Sequence, residues 1–235
     1  MVDLALACDP RTIELLRHHP RIKAVEEDGE TGLRFICGDW RRTIRVGDTR
    51  APIYGLVETI DNNPLVCADV ISIPSPTSTL ALIGLAPLAT AAILSDSPMM
   101  IVNAETDPNE IDEALTLMGA NVSVGVHVES MDLDGVLAAT IMIAVNSEIG
   151  IAEICDLYRE RYERSFYIRE FAGDTWQPEL VRRTPFAAYR LAMADDYPES
   201  LLTVRVLADL SGKAGAAQAV HAMNVMCGFE ESLGI

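Results

Sequence analysis

The run Ser72-Ile73-Pro74-Ser75-Pro76-Thr77-Ser78-Thr79-Leu80, continuing into Ala81-Leu82-Ile83-Gly84-Leu85-Ala86-Pro87-Leu88, constrains this chain more than any other segment. Residues Leu65 to Ile73 are largely apolar and read as a strand, and the prolines that follow stop it. A turn rich in serine and threonine then opens a helix at once. The pattern predicts an elbow of strand, tight turn and helix. Enzymes place a nucleophile at such a turn, because the first turn of a helix offers unpaired N–H groups and a partial positive charge. Here the turn carries Pro76, which has neither a nucleophilic atom nor an N–H. The segment Leu80 to Leu94 is uncharged, alanine-rich and interrupted by Pro87. It is shorter than a membrane span and reads as a buried helix.

With 235 residues, 49% of them hydrophobic, the chain can build a full core, as one large domain or two small ones. A formal net charge of −17 argues against nucleic acid or an anionic membrane as partner. Lys23 and Lys213 are the only lysines. An acidic, lysine-poor surface suits a salt-rich cytoplasm, and a GC-rich genome accounts for the arginine bias equally well. The cysteines Cys8, Cys37, Cys67, Cys155 and Cys227 are scattered, odd in number and free of C-x-x-C pairing. They read as buried free thiols, with neither a zinc site nor a disulfide framework. Met1 leads into a short apolar run without a basic flank, so no signal peptide is expected and the compartment is read as cytoplasmic.

Val2 to Ala7 reads as a short buried strand, and Asp9-Pro10 as the cap and first position of a helix through about His18. Leu33 to Cys37 is a second strand, ending at Gly38-Asp39-Trp40-Arg41, and Leu65 to Ile73 a third. This order resembles the closing half of a nucleotide-binding α/β domain. No G-x-G-x-x-G cluster occurs near the start, and Gly212-Lys213-Ala214-Gly215 lacks the context and third glycine of a phosphate loop. From Asn121 to Val128 the alternation predicts a half-buried strand. Gly135 to Val145 is apolar throughout and predicts a central strand covered on both faces, with a second subunit as one possible cover. Ile151 to Arg164 is an amphipathic helix, Leu201 to Leu207 a strand, and Ala214 to Met226 an apolar helix ending at Gly228.

These residues resemble the N-acetyl-γ-glutamyl-phosphate reductase family, within the semialdehyde dehydrogenase superfamily. Asp209-Leu210-Ser211-Gly212-Lys213-Ala214-Gly215-Ala216-Ala217-Gln218-Ala219-Val220-His221-Ala222-Met223-Asn224 resembles that family's D-N-L-x-K-G-A-x-G-Q-A-V-Q-x-M-N signature. Tyr54-Gly55-Leu56 resembles Y-G-L-P-E, and Asp39-Trp40-Arg41 resembles D-F-R after a Rossmann strand. The resemblance implies an α/β plus α+β chain: an incomplete Rossmann-like parallel sheet followed by a semialdehyde-dehydrogenase-type dimerisation domain. Residues 1–75 would form the partial Rossmann-like domain and 76–211 the dimerisation and substrate-type domain, with the helix in 212–235 returning to the first.

Three departures fall on the family's working parts. The chain opens where the family's Rossmann domain is half finished, without the NADP phosphate-binding turn. The N-P-G-C-Y-P-T elbow becomes Ile73-Pro74-Ser75-Pro76-Thr77-Ser78-Thr79, with Pro76 at the cysteine. The histidines of G-H-R-H-x-P-E-I are gone, since Thr106-Asp107-Pro108 joins directly to Asn109-Glu110-Ile111. Acyl-phosphate reduction needs a thiolate, a base and a nicotinamide, so the resemblance implies no catalytic residue here.

The flanking hydroxyls of Ser75 and Thr77 read as helix caps, and Cys67 as a core thiol. The resemblance makes Ser75, Gln218 and Asn224 vestigial cofactor-side residues, and puts His127 and Arg41 in a substrate cleft. Acidic residues after His127 replace the family's basic M-N-R-G segment. Glu14 with His18 and His19 reads as a solvated helix end and not a metal site. The expectation is a non-catalytic homologue with no cofactor, acting as a homodimer or as a hetero-oligomer with a full-length reductase. The alternatives are a divergent or split NADP-dependent acyl-phosphate or semialdehyde oxidoreductase of the arginine pathway, and a small-ligand sensor.

Overall fold

The computed structural model describes residues 2–7, 10–27, 32–60, 62–194 and 198–235; the expected cap at Asp9, like Cys8, lies outside them. The chain begins with β1 (Val2–Ala7), α1 (Pro10–His18), β2 (Ile22–Glu27), β3 (Gly32–Cys37) and β4 (Trp40–Val46). A 3-10 turn at Val57–Thr59, α2 (Asn62–Cys67) and β5 (Val70–Ile73) follow. These strands form a five-stranded sheet in the order β2-β1-β3-β4-β5. The outer pairs β1–β2 and β4–β5 are parallel, whereas β1–β3 and β3–β4 are antiparallel. The Rossmann-like sheet expected to be parallel is therefore mixed. The reason is local. Gly38-Asp39 is a two-residue hairpin turn in which Gly38, at φ +67°, takes the left-handed position. The chain turns back there, and Trp40 and Arg41 start the next strand.

The strand expected over Leu65–Ile73 divides into α2 and the shorter β5. Asn62-Asn63-Pro64 sets a helical first turn, because proline presets φ and its missing N–H is not needed there. Arg42, on β4, is buried, and its guanidinium donates to the carbonyls of Val66 at 2.8 Å and of Met226. It thus answers free carbonyls at the ends of two helices.

After the elbow come α3 (Pro76–Thr90), β6 (Met99–Val102), α4 (Pro108–Leu117), β7 (Gly125–Val128) and β8 (Val136–Asn146). Then follow α5 (Ile151–Tyr162), β9 (Ile168–Glu170), β10 (Ala187–Ala194), β11 (Glu199–Asp209) and α6 (Ala216–Cys227). The second sheet has six strands in the order β7-β6-β8-β11-β10-β9. The strand expected from Asn121 starts only at Gly125, because the Val124 N–H is taken at 2.8 Å by the Asp112 side chain on α4. Helix α6 packs Val220, Met223 and Met226 against Leu33, Phe35 and Ile44 of the first sheet.

Strand β8 is apolar throughout, yet its faces differ. Leu137, Ala139, Ile141, Ile143 and Val145 are buried, whereas Ala138, Thr140, Met142 and Ala144 are only half-buried. The buried row lies beneath α3, where Gly84 lets the helix close onto Ile141. The other face is open except at one end, where Phe171, Trp176 and Val181 cover Val136, Ala188 and Leu207. This chain alone therefore does not cover both faces.

Helix α3 is buried from Thr77 through Ala89. Pro87 has no N–H for the Ile83 carbonyl and its ring crowds that turn. Tyr162 Oη of α5 answers that carbonyl, donating to Ile83 O at 2.9 Å, and Tyr158 Oη donates to the neighbouring Gly84 O. Burial holds both phenols well above their ordinary range, with the neighbouring tyrosines adding to it. Tyr162→Phe leaves a buried carbonyl unpaired and is expected to lower the unfolding free energy by about 1–3 kcal/mol. Urea denaturation measures this, with an unchanged m-value expected.

Candidate functional site

Pro76 stands at the first helical position of α3, directly after Ser75 as the N-cap residue. Proline fits this position, since its fixed φ suits the helix and the first-turn N–H is dispensable. The turn is closed by a carboxylate: Ser75 N–H donates to Glu110 Oε1 at 2.8 Å, and Tyr54 Oη donates to the same oxygen at 2.7 Å. Glu110 comes from the first turn of α4, whose own start is capped by Asp107 accepting from Asn109 N–H at 3.0 Å. Burial, and next the facing Glu110 carboxylate, hold the Tyr54 phenol well above its ordinary range. The expected cap is refined here, because the Ser75 hydroxyl makes no cap bond and instead donates to Ser78 Oγ at 3.0 Å. From α6, the fully buried Gln218 donates to Thr79 Oγ1 at 3.0 Å and reaches Pro74 O at 3.4 Å. A carboxylate and an amide thus clamp an elbow whose first helical position is Pro76.

A cleft of about 1350 Å³ opens beside Pro74 and Pro76. Arg11, Arg34, Arg45 and Arg50 line it together with Asp48 and Glu113. Asp48 holds Arg45 at 2.8 Å and Arg50 at 3.4 Å, and the Arg45 contact keeps its carboxyl below the usual range. A dinucleotide domain holds the diphosphate on N–H groups of a glycine turn and a helix N-terminus. Helix α1 opens on Pro10, and only Cys8 and Asp9 stand between it and β1. The donors here are guanidinium groups, two of them tied to a carboxylate. They do not fit the NADP diphosphate in that manner.

The other residues singled out in the sequence are dispersed. Arg41 is exposed near the start of β4, whereas it is the end of β4, at Val46, that pairs with Ile73 before the elbow. Five residues of strand, about 16 Å, separate Arg41 from that point. His127 is exposed on β7, in one row with Ile101, Thr140, Arg205 and Arg190. That row lies on the open face of the second sheet, opposite α3. Asn224 is buried and ties the C-terminal segment down, donating to Glu231 O and Leu233 O and facing His19 Nε2 at 3.0 Å. Cys67 is exposed at the end of α2, which corrects its reading as a core thiol on a strand. Cys37, Cys155 and Cys227 are half-buried, so none of the described cysteines is fully buried. His18 caps its own helix through Glu14 O at 2.9 Å.

One constellation was missed in the sequence. Lys213 Nζ lies 2.7 Å from Glu58 Oε2, with 1% and 5% of the two side chains exposed. Ser165 Oγ donates to Glu58 Oε1 at 3.2 Å, and His221 Nε2 lies 3.0 Å from Glu231 Oε2. A Cβ at Gly212 would overlap the Thr184 carbonyl oxygen, and one at Gly215 that of Leu210. These glycines therefore serve close backbone approach, which swings Lys213 inward to Glu58. The only signal was the rarity of lysine itself.

A strand–turn–helix elbow beside an open six-stranded sheet defines the class, that of the semialdehyde dehydrogenase fold. Aspartate semialdehyde dehydrogenase II from Vibrio cholerae superposes with a TM-score of 0.61 at 11% identity, covering 92% of this chain and 93% of that one. A probable aspartate-semialdehyde dehydrogenase from Pseudomonas aeruginosa gives 0.58 at 10% identity, covering 74% and 67%. Within that class, the sequence is similar to curated N-acetyl-γ-glutamyl-phosphate reductases. The Bacillus cereus reductase is 23% identical over 252 residues, 91% of this chain and 72% of the relative. That of Geobacter metallireducens is 30% identical over 128 residues, 54% and 36% of the two chains. No protein-family model matches the chain.

Burial alone would push the Glu58 carboxyl up, but facing Lys213 and His221 hold it below the ordinary carboxylate range. A depressed folded-state value stabilises the fold above the unfolded value, and that contribution is lost as pH falls through the folded one. Lys213→Met strands a buried carboxylate and is expected to cost about 3–5 kcal/mol near neutral pH. The double variant with Glu58→Gln is expected to recover part of this loss. Chemical denaturation at neutral pH and below the carboxylate range tests both statements.

Proposed function

We propose that this chain is a non-catalytic homologue of N-acetyl-γ-glutamyl-phosphate reductase that acts by association. The observation that carries the reading is Pro76 at the first position of α3, where the resemblance puts the reductase cysteine. Among the described residues, none lining the adjacent cleft is a cysteine or histidine, the groups that would serve as thiolate and imidazole base. Losing a covalent nucleophile alone costs several orders of magnitude in rate.

The open face of the second sheet supports association. Met99, Met142 and Thr203 form one row across it, and Ala144 lies beside Leu201. Met99 is 47% exposed and Leu201 45%. Apolar side chains on the surface of a sheet whose other face is fully packed gain most from a second sheet or a second subunit. A second copy of the chain is the first partner to test, and a full-length reductase the second.

A second reading rests on the cleft. A space of about 1350 Å³ beside the elbow, lined by arginines, suits a small-ligand sensor.

Two outcomes are expected. Purified protein should give no NADPH-dependent reduction of N-acetylglutamyl phosphate, and Pro76→Cys should not install it, because the base remains absent. A rate in the ordinary enzyme range for the unaltered chain sinks the proposal. Light scattering after size exclusion should show a dimer, or a complex with the full-length reductase. Met142→Arg with Leu201→Arg should abolish it while leaving the unfolding midpoint of the monomer nearly unchanged.

A further inference from the structure

On the open face of the second sheet, β11 presents Glu199, Leu201, Thr203 and Arg205 in succession. Alternate residues of a strand share a face, and Leu202, Val204 and Val206 between them are buried on the other. The series runs from an acid through two uncharged residues to a base. In the same rows on β8 stand Asn146, Ala144, Met142 and Thr140. Glu199 and Arg205 are both exposed, and among the described residues neither side chain has an ion pair or a hydrogen bond. Arg190, on β10, lies directly opposite Arg205 and is likewise unpaired. Two guanidinium groups facing each other across adjacent strands repel, and a carboxylate near both relieves that repulsion. Along β11 the carboxylate of Glu199 is six residues away, about 20 Å, and cannot serve within one copy.

A second copy can serve. Packed sheets keep their strand directions within about 30° of each other, which leaves two simple two-fold arrangements. An axis along the strands would lay each row on itself and gather the arginines of both copies at one level. An axis across the strands reverses their direction. Placed at the level of Leu202 and Ile143, it sets Arg205 against the partner's Glu199, Thr203 against the partner's Leu201, and Met142 against the partner's Ala144. Opposite charges then meet at both ends, and larger side chains meet smaller ones between them. Displacement by one residue breaks the match. Toward Thr203 it lays Arg205 on the partner's Leu201, and toward Leu201 it lays Glu199 on the partner's Thr203.

We propose that the open face docks a second copy of this chain about a two-fold axis crossing β8 and β11 at Ile143 and Leu202, with Arg205 of each copy paired to the partner's Glu199. The proposal rests on the reading that the chain acts by association, and it goes further by selecting the partner, since the face is complementary to itself. Arg190, one strand away, shares the same carboxylate.

The test is charge reversal on the full chain, read by light scattering after size exclusion and by sedimentation equilibrium. The unaltered chain should be a dimer. Arg205→Glu and Glu199→Arg each put like charges at both ends, and each should raise the dimer dissociation constant about tenfold or more. An equimolar mixture of the two variants should restore the dimer, because one copy then carries only acids at these positions and the other only bases. Restoration also shows that both variants fold. The proposal is overturned if either variant alone dimerises as tightly as the unaltered chain, or if the mixture gains nothing over its components; the association reading survives both results. An unaltered chain that stays monomeric at micromolar concentration overturns it too, and removes the association reading as well if the full-length reductase is not bound.

Discussion

A helix buried on every side must have all of its backbone groups answered from within the protein, and α3 sets that demand for the rest of this molecule. Both prolines of α3 sharpen it. Pro76 removes an N–H where the helix has one to spare, so it is free of penalty. Pro87 removes one where the helix has none to spare, and the Ile83 carbonyl must find a donor elsewhere. The phenol of Tyr162 supplies it and that of Tyr158 bonds the neighbouring Gly84 carbonyl, which fixes α5 against α3 and thereby the layer that covers the second sheet. Gly84 then brings the same helix onto Ile141 of β8. The position of the elbow follows from these contacts, because α3 cannot shift without unpairing them.

The elbow is held as firmly as an active site would need. Glu110 accepts from Ser75 N–H and Tyr54, while Gln218 reaches across from α6 to Thr79 and Pro74. Each partner comes from a different element, so the turn gathers α4, α6 and the loop before the 3-10 turn to one point. None of these contacts requires a thiol or a redox group. A turn gathered in this way makes a rigid junction between the two sheets.

The sequence pattern showed what depends on local chemistry. The elbow at Pro74–Pro76, the amphipathic α5 and the small-residue helix α6 all carry their own start, stop and period signals, and the resemblance placed them in a family fold. Readings failed where a long-range partner decides. Leu65 to Ile73 looked like one strand because Leu65, Val66 and Cys67 are as apolar as a strand needs, yet Pro64 and the docking of α2 against α6 make that part helical. For β8 the described residues supply one of the two covers that its apolar pattern implies, and its outward residues are Ala, Thr and Met, which an apolar count does not distinguish from core. The Glu58–Lys213 pair was invisible for a different reason. Its members stand 155 residues apart, and nothing local marks a lysine that will be buried.

That pair also shows what the C-terminal segment does for the first sheet. Lys213 is delivered by the turn between β11 and α6, and Glu58 by the turn between β4 and α2. A buried ion pair is weak as a source of stability but strict about geometry, since removing either charge strands the other. It therefore specifies which loop of one sheet meets which loop of the other. Asn224 and His221 extend the same connection to the last residues through Leu233 and Glu231.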